Sequence, residues 1–244
     1  MKTCLLVFTL VLCLALPACT INIDGNELGS VRGSGNVVTE ERSISGVERV
    51  AVMNQGDLTI VIGAEESLVI EAEDNLLPYI ETKVRGSTLE IGTQNGVNLR
   101  NTDPIRYTLT VPSLKEVVIS SSGDITVPAL TADSFDISVS SSGDVNIESL
   151  AADKLEVHLS SSGKVGIGGG QVARMNATLS SSGDLNMENV VVQDARVSIS
   201  SSGSAYVQVT GALDGNISSS GNIYVTGSPQ IDVSTSSSGK VIAK

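Results

Sequence analysis

The amino-acid sequence predicts an all-β chain wound into a parallel β-solenoid, a single-stranded β-helix-like coil with two strands in each coil of about 18–20 residues. Three observations carry that expectation. Ser-Ser-Ser-Gly ends at Gly123, Gly143, Gly163, Gly183, Gly203, Gly221 and Gly239, with four spacings of 20 residues and then two of 18, and a fixed short period is the mark of stacked units. Around each of these glycines the apolar residues alternate with period two, as in a strand with one buried face. Large rings are scarce: 244 residues hold four Tyr, two Phe and no Trp, so the core must be Val, Ile, Leu and Ala.

The chain opens with a leader. Lys2 precedes an apolar run from Leu5 to Leu16 that closes on Leu16-Pro17-Ala18-Cys19, which reads as a secretory signal over residues 1–18, too short to span a membrane. Its end resembles a lipobox, in which Cys19 is acylated and becomes the new N-terminus; the other reading is an ordinary cleavage after Ala18 that leaves Cys19 a spare thiol. The lipoprotein reading is preferred, because a lone thiol at the start of an exported chain has few other uses. Cleavage removes Cys4 and Cys13, so no intramolecular disulfide forms, and it moves the net charge from −12 to −13. Two or three acyl chains hold a protein at a membrane where one does not. Thr20 follows the Cys where an Asp would retain an enterobacterial lipoprotein at the inner membrane, so the outer membrane is expected in a Gram-negative source.

Residues 19–34, rich in Gly, Asn and Ser, are expected as a tether, and 35–115 as opening coils of the solenoid. Strand patterns there cover residues 48–53, 58–62, 67–73, 87–92 and 106–111, and Asp74-Asn75-Leu76-Leu77-Pro78-Tyr79-Ile80 interrupts them with a short helical turn. Residues 116–244 form the regular coils. Each is a strand, a Ser/Gly turn, a second strand and a second corner such as Ala129-Leu130-Thr131-Ala132-Asp133. The Ser two before each Gly, from Ser121 to Ser237, faces inward, and Gly supplies either positive φ or close approach. At about 4.8 Å per coil, the seven turns span roughly 29 Å. An antiparallel meander also repeats its turns, but it need not stack like on like.

Charge and composition exclude several chemistries. An acidic chain repels a phosphate backbone, so no nucleic-acid partner is expected, and a single His offers little for a zinc site or a triad. Gly163-Lys164 and Gly239-Lys240 lack the preceding Gly and following Ser or Thr of a phosphate loop. Asp124, Asp144 and Asp184 recur after their glycines, but Lys164 interrupts the series and ligands for calcium are few; they read as turn formers. Asp136, Glu156, Asn176, Arg196, Asp214 and Asp232 make a polar ladder with His158 nearby. An Asp136–Glu156 acid pair on an open sheet has no cleft to shift its pKa. No catalytic residue, metal or cofactor is expected. Tyr206 and Tyr224 each lie three after their Gly, one coil apart on the outer face, as a contact surface for a ligand or as a plain cross-strand pair. The run Lys240–Lys244 shows no evident cap, so that end reads either as an open edge whose two lysines discourage strand addition or as a surface for a second copy.

Several stretches together point to a family. Gly33-Ser34-Gly35-Asn36-Val37-Val38, Glu41-Arg42, Asp74 to Ile80, Leu109-Thr110-Val111-Pro112-Ser113-Leu114 and the Ser-Gly-Asp turns resemble the putative auto-transporter adhesin, head GIN domain family, from about residue 33 onward. The resemblance implies a β-helix related in shape to pectin lyases without their catalytic residues, and a role in adhesion. The chain shows neither a heptad stalk nor a C-terminal membrane barrel, so the lipid anchor stands in for an autotransporter route. The expected function is that of an envelope-anchored solenoid presenting an acidic, Ser/Thr-rich surface to a protein or glycan. A periplasm-facing scaffold is the alternative, and a polysaccharide-acting enzyme comes third.

Overall fold

The computed structural model describes residues 29–244; the leader, Cys19 and the first part of the expected tether lie outside the described residues. The regular coils are stacked in parallel and in register. Strand Ile125–Val139 pairs with Val145–Leu159, Ile125 on Val145 and Val139 on Leu159, so every rung joins residues 20 apart. The next coil follows the same rule through Gly170–Leu179 and Leu185–Ile199. Like therefore lies on like. Val117, Ile137, Val157, Ala177 and Val197 form one buried column, and Phe135, Leu155, Met175 and Ala195 another. Each fully buried Val or Ile contributes about 1.5–3 kcal/mol.

The second corner is itself a paired run. Pairing skips Pro128 and Glu148, resumes for Ala129–Ala132 on Ser149–Ala152, and skips again at Asp133 and Asp153. Each coil thus has a short third side between its two longer strands. Buried positions step by three at those breaks, from Val127 to Leu130 and from Leu150 to Leu155 by way of Ala152. In the coils of 18 residues this side shrinks: Met187 pairs with Val207 but Val191 pairs with Gln208, leaving residues 188–190 without a rung to the following coil.

The Ser/Gly turn works by close approach. None of its glycines from Gly123 to Gly239 has positive φ, but a Cβ on Gly143 would overlap the carbonyl oxygen of Gly123, and the same holds one coil on at Gly163 and Gly183. The middle Ser is half-buried from Ser121 to Ser219 and exposed only at Ser237 in the last coil, and its hydroxyl donates to the carbonyl of its counterpart one coil back: Ser141 to Ser121, Ser161 to Ser141, Ser201 to Ser181. The residue after Gly stacks too. Asp124 Oδ1 accepts from the Asp144 N–H at 2.8 Å and Asp144 Oδ1 from the Lys164 N–H at 2.8 Å, so these carboxylates already hold backbone donors.

The opening region contributes coils and a lid. Strands Arg49–Val52 and Asp57–Ile62 stack in parallel under the first regular coil, and Thr88–Thr93 and Arg106–Val111 stack under them. Three further strands run antiparallel: Val37–Arg42 on Ser67–Glu73, Ser67–Glu73 on Arg106–Val111, and Ile80–Arg85 on Thr88–Thr93. They close the end of the stack that parallel coils alone would leave open. The helical turn falls at Leu77–Tyr79. The expected tether ends earlier than residue 34. Ser30–Arg32 forms a strand on Asn98–Arg100, and Glu73 anchors the chain beyond it, because a buried carboxylate needs donors and Gly35 provides one.

Candidate functional site

Three of the family-like stretches, residues 33–38, 41–42 and 74–80, converge in the lid. Glu73 is 1% exposed; it accepts from the Gly35 N–H at 2.7 Å, the Thr102 N–H at 2.9 Å and the Thr102 hydroxyl at 2.5 Å. Burial alone would raise its carboxyl, but these donors hold it below the ordinary range. Asp74 takes the Ser34 hydroxyl at 2.6 Å and the Asn36 amide at 2.8 Å, which lower its pKa. Arg42 donates to the Ile80 and Leu77 carbonyls at 2.7 and 3.2 Å, fixing the helical turn. All of these bonds join one part of the lid to another.

The polar ladder forms as expected, Glu116 on Asp136 on Glu156 on Asn176 on Arg196 on Asp214 on Asp232. Lys154 and Asn176 each hydrogen-bond or ion-pair with Glu156, at 2.9 and 2.8 Å; burial pushes that carboxyl up and these partners bring it below its ordinary value. His158 is exposed on the same sheet, between Ser138 and Thr178. Among the described residues, no three or more His, Cys, Asp or Glu are grouped to hold a metal ion.

Tyr206 and Tyr224 are brought together. They pair across one rung and stack with centroids 4.6 Å apart and planes 5° from parallel. Lys244 Nζ lies 5.1 and 5.3 Å from the two centroids, nearly equidistant, so it caps the pair as a unit. A hydrogen bond from Lys244 to Glu188 at 2.5 Å holds the ammonium pKa above its usual range. The stack is engaged within the chain, which fits the cross-strand reading of these tyrosines.

The concave site lies elsewhere. Along the short third sides runs an open groove of about 840 Å³. Its floor is outward-facing Thr131, Ala151, Gln171 and Val191, stacked rung on rung. Asp133, Asp153 and Gln193 stand beside it, while Arg49 and Lys115 close the end nearest the opening region. Asp136 also lines it, with a buried Oδ1 that has no hydrogen-bond partner among the described residues. The groove follows the coils of 20 residues and stops at Val191 and Gln193, where the third side shortens. Of these residues the sequence singles out Asp136 alone, in an acid pair on an open sheet without a cleft; the structure corrects this, since Asp136 lines the groove, and the change of spacing from 20 to 18 marks where the groove ends.

The sequence profile described as "Putative auto-transporter adhesin, head GIN domain" matches residues 47–229. The chain belongs to this family. Among solved structures, the head GIN chain is similar to a putative adhesin of Bacteroides fragilis, with 22% identity over 88% of this chain and 100% of that one and a TM-score of 0.81. It is also similar to a putative lipid binding protein of Parabacteroides distasonis, with 26% identity, coverage of 88% and 99% and a TM-score of 0.73. A putative adhesin of Parabacteroides merdae shares 20% identity, with the same coverage and a TM-score of 0.73. No curated protein matches. These likenesses establish the fold of the head GIN chain. No helix among the described residues is long and apolar enough to cross a membrane.

Proposed function

We propose that this head GIN protein is an envelope lipoprotein, anchored through Cys19, that binds a partner along the axial groove in an adhesion role. The groove carries the reading: four successive coils stack Thr131, Ala151, Gln171 and Val191 into a floor flanked by polar side chains, a surface suited to an extended ligand. Family membership supports adhesion. Binding rather than catalysis is supported by the acids of the polar ladder, since Glu156 is tied to Lys154 and Asn176. Protease shaving of intact cells tests the placement. Cleavage of the domain on intact cells is expected; protection until the outer membrane is opened would contradict surface adhesion and favour a periplasmic scaffold. Cys19→Ser should release the protein from the membrane fraction.

A further inference from the structure

We propose that the groove binds a linear, uncharged glycan lying parallel to the solenoid axis. The inference rests on the groove being the binding surface argued above, and it names the class of its ligand.

The floor of the groove is the outer face of a continuous parallel sheet. The backbone groups of residues 129–132, 150–152 and 170–172 are directed along the axis into the ladder from one coil to the next. A peptide cannot add to that face as a strand, because strand addition needs a free edge. What remains for a ligand is side-chain chemistry. The groove offers the hydroxyls of Thr131 and Ser134, the amides of Gln171 and Gln193, and the carboxylates of Asp133 and Asp153. Amides and hydroxyls both donate and accept, and a carboxylate accepts from two hydroxyls at once. Ala151, Ala173 and Val191 place small apolar patches between those groups. A ligand with hydroxyls around its rim and C–H groups on its faces matches this alternation, and that is a pyranose chain.

Charge and length narrow the class. Asp133, Asp136 and Asp153 repel an anionic polymer such as a uronate chain, and Arg49 and Lys115 at the near end are ion-paired with Glu116 and Glu48, so a polycation is the charged competitor that the oligolysine probe tests. An acyl chain would desolvate the carboxylates without giving them a hydrogen bond. From the Thr131 rung to the Val191 rung is three coil steps, about 14 Å, room for a few sugar units. Ala151, Thr131 and Val191 let the chain lie close to the sheet beside the Gln171 amide, and the shortened side after Val191 ends the run.

The test uses the full-length mature protein in detergent, scored by binding to cellohexaose, maltohexaose and laminarihexaose as neutral probes, with oligogalacturonate and oligolysine as charged ones. The expected result is binding to at least one neutral probe, abolished by Ala151→Trp, which fills the floor from its solvent side. Gln171→Ala, at an exposed position, should weaken binding about tenfold, as loss of one or two ligand hydrogen bonds does. Both variants should unfold at the wild-type temperature, and Tyr206→Ser/Tyr224→Ser should bind normally. Preference for a charged probe, no binding to any neutral probe, or binding that Ala151→Trp leaves intact overturns the glycan assignment. If Ala151→Trp still abolishes attachment of cells, the adhesive groove stands and only its ligand class has failed; if attachment is also unchanged, both fail.

Discussion

The opening region and the regular coils solve the same problem by different means. From residue 116 onward a coil is held by its neighbours through backbone rungs, a Ser hydroxyl on a carbonyl and an Asp carboxylate on an N–H, repeated with little variation. In residues 30–115 the ties are individual side chains: Glu73 on Gly35 and Thr102, Asp74 on Ser34 and Asn36, Arg42 on Leu77 and Ile80, and Asn54 on Tyr107 at 2.8 Å. Asn54 stands in the turn where the regular coils have a half-buried Ser. Its partner Tyr107 is buried deeply enough that its phenol is pushed up to about 12. A repeated unit needs only to match its neighbour. A lid that ends the stack has no matching neighbour, so specific side chains must satisfy the backbone there.

Substitutions in each region should expose this difference. The largest effect is expected in a buried column: Ile137→Asp places a lone carboxylate among fully buried Val117 and Val157 and should cost about 4 kcal/mol, read by chemical unfolding. A secreted variant with wild-type stability would show that the column is not a core. Next is Gly143→Ala, whose Cβ meets backbone rather than a yielding side chain; a loss of about 2–3 kcal/mol is expected. Gly86→Ala in the lid has open space but a φ of +63°, and should cost only about 1 kcal/mol.

Glu73→Gln separates the regions by pH. The amide puts an N–H against the Gly35 or Thr102 donors, and a loss of about 1–2 kcal/mol at neutral pH is expected. Because the folded carboxyl lies below its ordinary value, its contribution is complete above the ordinary carboxylate range and disappears as pH falls through the lowered value. Melting curves of the Gln variant should therefore lose part of the wild-type decline with acid. An unchanged decline would remove Glu73 from the account. An effect as small as that of Gly86→Ala, about 1 kcal/mol, belongs to Tyr206→Ser with Tyr224→Ser, which removes one half-buried stack.

The solenoid, its register and the inward Ser were legible because a 20-residue period repeats them. The role of Gly was legible only as a choice between positive φ and close approach, since both demand the same residue; the observed φ values decide for close approach. The third side was harder to read. Alternation shifts parity at Pro128 and again at Asp133, so Ala129–Asp133 reads as a corner, although Leu130 and Leu150 form a buried rung within it. The groove inherits that difficulty, because its floor residues have no chemistry individually and matter only when stacked. In the lid the strand at 67–73 and the helical turn were legible, but the antiparallel pairing was not. Its strands have the same alternation as parallel ones, and its ties, such as Glu73 to Gly35, join residues that no local pattern connects.

We propose that binding belongs to the groove of the regular coils and not to the half-buried tyrosine stack. Attachment of cells carrying Ala151→Trp, compared with cells carrying Tyr206→Ser/Tyr224→Ser at equal surface amounts, tests it most directly. Loss of attachment with the groove variant and retention with the tyrosine variant is the predicted result; retention with the groove variant and loss with the tyrosine variant would contradict it.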